Sequence, residues 1–250
     1  MSALRPLYIA GRFLSRLPVP DPGPTQPSET GRSVPWYPVI GLLMGAVATL
    51  VAFVLVRATA PPDVAAALVL LVWVWSSGAL HLDGLADSAD AWIGGLGSRE
   101  RTLDIMKDPR SGPAAVTVIV LTLLGKWAAL KALLLTGTLW PLCLIPMLAR
   151  AQVPLLLLTT PYARTQGLAA DQFHYLPRRA AWVSVLAAGS AMLVFGGWIG
   201  LMLSLAALAL YWQTRRAMLD RLAGFTGDTA GALVELTELL TLLLCALVMR

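Results

Sequence analysis

Residues 33–56 read SVPWYPVIGLLMGAVATLVAFVLV and carry no charged side chain. Wound as a helix rising about 1.5 Å per residue, this stretch is long enough to cross the roughly 30 Å hydrocarbon core of a bilayer. Similar apolar runs occupy about 64–80, 113–135, 139–160 and 229–249, each bounded by charge or by Gly and Pro. The stretch 180–214 is uncharged for 35 residues, about 52 Å as one helix and too long for an ordinary crossing. Gly196-Gly197 near its middle predicts a tight hairpin between two short spans. The expected fold is therefore all-α, a polytopic integral membrane helical bundle of about seven transmembrane helices.

Composition agrees. The 250 residues are 57% apolar and 13% charged with mean hydropathy +0.71, which excludes an ordinary soluble globular enzyme. The formal charge is +5, but the basic residues are dispersed, so nucleic acid is not an expected partner and membrane lipid is. Lys and Arg in short loops collect on the cytoplasmic side. With the N-terminus inside, seven spans place there Arg5, Arg12, Arg16 and Arg32, then Arg99, Arg101, Lys107 and Arg110, then Arg164, Arg178 and Arg179, then Arg215, Arg216 and Arg221. That is fourteen of the nineteen basic residues. A single 180–214 span would put the last three outside, a second reason to expect the hairpin. Lys126 and Lys131 fall toward the outer end of the third span, where snorkelling accounts for them.

Cys143 and Cys245 lie far apart in apolar runs, which suggests neither a disulfide framework nor a zinc site. Arg5, Arg12 and Arg16 interrupt any signal-peptide core. Leu7, Ala10, Leu14 and Leu17 follow helical spacing away from those arginines, as in a helix lying on the inner leaflet. The stretch after it, PVPDPGPTQPSETGRSVPWYP, is too proline-rich to promise regular structure. One membrane-embedded domain, 1–250, is expected, with the interfacial helix and Pro-rich loop in 1–35 and a cytoplasmic loop of mixed charge in 81–112.

That loop opens with HLDGLADSADAWIGG at 81–95, which spaces Asp83, Asp87 and Asp90 by 4 and then 3 residues. On a helix the three carboxylates fall within about 60° of one another. Like charges so placed repel unless a cation binds them, and all-oxygen donors suit Mg²⁺, Mn²⁺ or Ca²⁺. A solvated acidic face is the alternative, weakened because the whole chain has only 14 acidic residues. His81 points to the other side of the ideal helix, toward substrate or the turn. Downstream, Arg99, Arg101, Lys107 and Arg110 surround Asp104 and Asp108; the cations can hold phosphate, and the two acids are candidates for a second ion or for ion pairs with Lys107 or Arg101. Ser111-Gly112-Pro113 opens the third span with backbone N–H groups free to receive an anion. In GFTGDTAGALVELTELL, Asp228 and Glu235 share a face that could approach the aspartates, and Glu235 and Glu238 lie in an apolar span, where carboxylates are costly and mark a site or a wet cavity.

FLSRLPVP, HLDGLADSADAW, LDIMKDPRSG, PYARTQGL and GFTGDTAGALVELTEL occur in this order, and the pattern resembles the cobalamin synthase family, the adenosylcobinamide-GDP ribazoletransferases, over nearly the whole chain. Ala91 stands where that family commonly has glycine and Pro109 where it commonly has serine; both leave the charged residues intact. The resemblance implies an integral enzyme of the bacterial inner membrane, its active site facing the cytoplasm, that depends on Mg²⁺ or Mn²⁺. It implies attack by a ribose hydroxyl of α-ribazole, or of its 5′-phosphate, on the cobinamide-side phosphorus of adenosylcobinamide-GDP, releasing GMP. It assigns Asp83, Asp87 and Asp90 to the metal and Lys107 and Arg110 to the diphosphate, with His81 or Asp90 as proton acceptor. Arg99, Arg101, Ser111, Asp228 and Glu235 are the expected substrate contacts, and a homo-oligomer is left open. The aspartate spacing is also similar to that of the CDP-alcohol phosphotransferases, whose D-G-x-x-A-R start is absent. A cation-coupled transporter is the competing class, but its acids belong at mid-membrane, whereas here the densest cluster is at the boundary beside basic residues.

Overall fold

The computed structural model describes residues 4–164 and 168–249. Among them all the regular structure is helical: α1 (Arg5–Leu14), α2 (Pro27–Ser33), α3 (Tyr37–Arg57), α4 (Pro62–Ser77), α5 (Leu80–Gly94), α6 (Arg99–Ile105), α7 (Pro113–Leu135), α8 (Trp140–Thr159), α9 (Leu168–His174), α10 (Arg178–Leu222) and α11 (Gly227–Val248). α10 is two arms, not one rod. Gly197 has φ 55° and ψ −136°, a conformation that breaks the helix and that a side chain would oppose. In a continuous helix Met192 and Gly200 would be about 12 Å apart, yet a Cβ on Gly200 would collide with the Met192 carbonyl. The chain folds back as the sequence predicts. Five helices are singly long and apolar enough to cross a membrane; dividing α10 at Gly197 gives a sixth crossing, and α4, which meets the same test only in company with the sharply bent α5, gives the seventh.

The bundle has two distinct ends. At one, Lys131 pairs with Asp63 and Trp140 packs on Gly196 at the α10 hairpin. At the other, the Arg16 N–H donates to the Ser76 carbonyl, Arg99 donates to the carbonyls of Leu222 and Ala163, and Tyr162 bridges to Phe225. The four basic segments therefore share this second end. The Pro-rich segment is more ordered than expected: Pro27 starts α2, where its missing N–H costs nothing, and Gln26 and Glu29 form a capping box. Arg5 then straps the preceding loop by binding Glu29 and the carbonyls of Pro22 and Pro24.

α8 is the central helix, buried along almost its whole length. α3 lies against it backbone to backbone, because a Cβ on Gly41 or Gly45 would collide with the carbonyls of Pro146 or Cys143. This small-residue spacing is how helices approach closely where no hydrophobic force drives them together. α4 and α5 meet at 86° through two consecutive left-handed residues, Gly78 (φ 60°) and Ala79 (φ 58°). The elbow lays α5 across the end of the bundle, against α7 and α11.

Candidate functional site

α5 carries Asp83, Asp87 and Asp90 in unbroken helix, so the spacing places them as expected. Gly84 lets α5 rest on the backbone of Asp228 at the start of α11, and Gly231 faces the His81 backbone. Asp228 thereby joins the group. Burial pushes the Asp87 carboxyl up to about 6, helped by repulsion from Asp83, Asp228 and Asp90 and opposed by Arg164. Arg164 bonds Asp228 at 2.8 Å. Sequence reasoning gave Arg164 no role; its one signal was its place in the PYARTQGL segment.

Asp90 has a different task. Its carboxylate accepts the Gly112 N–H at 2.5 Å and the Ala115 N–H at 3.0 Å, closing the N-terminus of α7. The anion expected at Ser111-Gly112-Pro113 is thus a side chain of the protein, which is what a helix N-terminus favours. Ser111 itself is exposed. Among the described residues no three His, Cys, Asp or Glu side chains are arranged to hold a metal ion. The donor chemistry still suits Mg²⁺, which is ordinarily held by one or two carboxylates together with substrate phosphates rather than by a full protein cage.

The basic side chains Lys107 and Arg110 pair within their own loop rather than with these carboxylates. Lys107 pairs with Asp104 at 3.6 Å and Arg110 with Asp108 at 2.7 Å, all four near the surface, and the Arg110 guanidinium holds the Asp108 carboxyl down at about 2. Of the two readings of Asp104 and Asp108, ion pairing is the one observed. Arg99 is spent on the Leu222 and Ala163 carbonyls, and Arg101 is exposed. Arg221, unassigned from sequence, donates to the Trp92 and Gly95 carbonyls and so ties the C-terminal end of α5 to α10.

Glu235 and Lys126 correct the sequence reading. Lys126 does not snorkel; it is 1% exposed and bonds Glu235 and Glu238 at 2.5 Å each. Arg150 pairs with the other oxygen of Glu238, and the Trp73 indole N–H donates to Glu238 at 2.8 Å. Glu235 therefore faces a cation inside the bundle, not the aspartates. His81 is buried with its Nδ1 3.4 Å from Arg150, so it links this neutral network to α5. A cavity of about 170 Å³ opens beside the aspartates, with His81, Asp83 and Asp228 in its lining.

A helical membrane bundle whose hydrophilic end holds a carboxylate cluster, a paired arginine and a cavity has the makings of an enzyme acting on charged substrates at the membrane boundary. Residues 6–246 match the cobalamin-5-phosphate synthase family, and the chain belongs to it. Relatives named adenosylcobinamide-GDP ribazoletransferase include those of Pseudomonas entomophila strain L48, 53% identical over 97% of this chain and 98% of its own, and Pseudomonas aeruginosa strain PAO1, 53% identical over 98% and 99%. The protein of that name in Pseudomonas fluorescens strain Pf0-1 is 48% identical over 97% and 99%. No solved structure matches the chain.

Proposed function

We propose that this chain is an adenosylcobinamide-GDP ribazoletransferase, joining adenosylcobinamide-GDP to α-ribazole or its 5′-phosphate with release of GMP. A ribose hydroxyl of the acceptor forms the new P–O bond to the cobinamide-side phosphorus, the P–O bond from that phosphorus to the bridging oxygen breaks so that GMP leaves carrying that oxygen, and the hydroxyl proton passes to a base or to water. The observation that carries this reading is the presence of Asp83 and Asp228 in the lining of one cavity, with Asp87 and Arg164 coupled to them electrostatically, in a chain matching relatives of that name over nearly its whole length. One or two of the carboxylates of Asp83, Asp87 and Asp228, together with the substrate's own phosphates, would hold Mg²⁺, which would supply charge neutralisation for the diphosphate. Arg164 is close enough to Asp228 to exchange it for a phosphate oxygen, and Lys107 and Arg110, exposed in the loop that ends at Gly112, add positive potential to the approach. Asp90 acts by fixing α7 against α5. His81, backed by Arg150, lines the cavity and orients the acceptor.

The basic end of the bundle belongs on the cytoplasmic face of the inner membrane by the distribution of Lys and Arg. The transporter reading loses support from Glu235 and Glu238, which are 3% and 0% exposed and already neutralised by Lys126 and Arg150. Purified protein in lipid, given adenosylcobinamide-GDP, α-ribazole and Mg²⁺, is expected to release GMP and to stop when the metal is chelated. No GMP from correctly folded protein would overturn the assignment.

A further inference from the structure

The cavity beside Asp83 and Asp228 has a second wall that the chemistry above does not use. Phe13 and Leu14 of α1, Tyr37 of α3, Val153 and Leu157 of α8, and Phe225 form it, an apolar surface with three aromatic rings drawn from four separate parts of the chain. At about 170 Å³ the cavity is smaller than the roughly 300–1,000 Å³ that holds a whole drug-sized ligand. It has room for one flat ring system and not for a corrin macrocycle or a complete nucleotide.

Resting on the transferase reading, we infer that this cavity binds the benzimidazole-type base of the acceptor nucleoside and so sets acceptor specificity. Two bases compete for it, the acceptor's and the guanine of the donor. Guanine carries donors and acceptors around its edge, and each left unpaired against an apolar wall costs about 1–3 kcal/mol. A benzimidazole-type base has no exocyclic polar group, and its one unsubstituted ring nitrogen needs a single donor. Gln172, 4% exposed and part of the same lining, carries an amide that can supply it. Position supports the same occupant: Asp83 and Asp228 line the same cavity as the apolar residues, so a ribose attached to a base seated there lies beside the carboxylates, where its hydroxyl must react. The aromatic faces add stacking to burial.

The test compares Phe13→Ala, at a position already 37% exposed, and Ala169→Phe, which fills the cavity from α9, with the unsubstituted chain. Both variants should raise KM for α-ribazole about tenfold or more and leave KM for adenosylcobinamide-GDP within about twofold. In parallel, calorimetric binding of benzimidazole riboside to the metal-free wild-type chain should be weakened by either substitution and should not be competed by GMP. A rise confined to KM for adenosylcobinamide-GDP, or competition by GMP, puts guanine in the cavity and overturns the inference. Unchanged constants in a folded variant also overturn it while the transferase reading stands. Absence of GMP release by the wild-type chain removes that reading instead, and the riboside titration then decides the cavity's occupant alone.

Discussion

Asp87 and Asp90 are one turn apart on α5, and their surroundings divide the work between them. Asp87 faces Asp83 and Asp228 with repulsion that a cation relieves, whereas both oxygens of Asp90 are already held by backbone N–H groups of α7. Asp87→Asn should therefore lower kcat/KM about 100-fold while shifting unfolding free energy by less than about 0.5 kcal/mol. Asp90→Ala should cost about 1–2 kcal/mol of stability by orphaning two N–H groups. Activity assays beside thermal melts of both variants in one detergent separate the roles, and equal stability losses would contradict the division. Arg164 and Lys107 form a second contrast. Arg164→Ala should reduce kcat by about 100-fold, and Lys107→Ala should chiefly raise KM in a salt-dependent way, since Lys107 is exposed and paired with Asp104. Steady-state kinetics at two ionic strengths checks both.

At the scale of elements, the closest helix contact is α3 on α8, where Gly41 and Gly45 leave no room for a side chain. Gly45→Val should separate the pair and cost about 1–3 kcal/mol, read as a lowered melting temperature; an unchanged melt would show that the interface yields. The spans and the α10 hairpin were legible in the sequence because length, absence of charge and Gly196-Gly197 are local signals. The elbow at Gly78-Ala79 was not, since left-handed alanine has no propensity signature and the elbow is held by a distant residue, Arg16, which packs on Gly78 and bonds the Ser76 carbonyl. α2 was missed because proline density outweighed the capping pair of Gln26 and Glu29. At the site, the helical face of Asp83 and Asp87 was readable from spacing alone. The capping role of Asp90 and the partners of Lys126 were not, because each depends on groups that only the folded bundle brings close: Gly112 for Asp90, Glu235 and Glu238 for Lys126.

For the whole molecule, the two-ended arrangement sets the labelling pattern. In a background lacking Cys143 and Cys245, Ser98→Cys and Met249→Cys should react with a membrane-impermeant reagent from opposite sides; reaction of both from one side would exclude seven crossings. The buried network has a consequence for how such a chain is made. Lys126 emerges in α7 and Arg150 in α8, but both anions that neutralise them reside in α11, which leaves the ribosome after both. Until α11 emerges the growing bundle holds two cations without counter-charges in an apolar medium, a costly state. Synthesis of α11 is thus coupled to charge balance, and a product truncated after Leu222 should fail to accumulate in the membrane. Glu235→Gln and Glu238→Gln together in the full-length chain should reproduce that loss, which immunoblotting of membrane fractions measures. α11 thus serves as the chain's own proofreading step, since only a copy that includes it has the buried charges balanced.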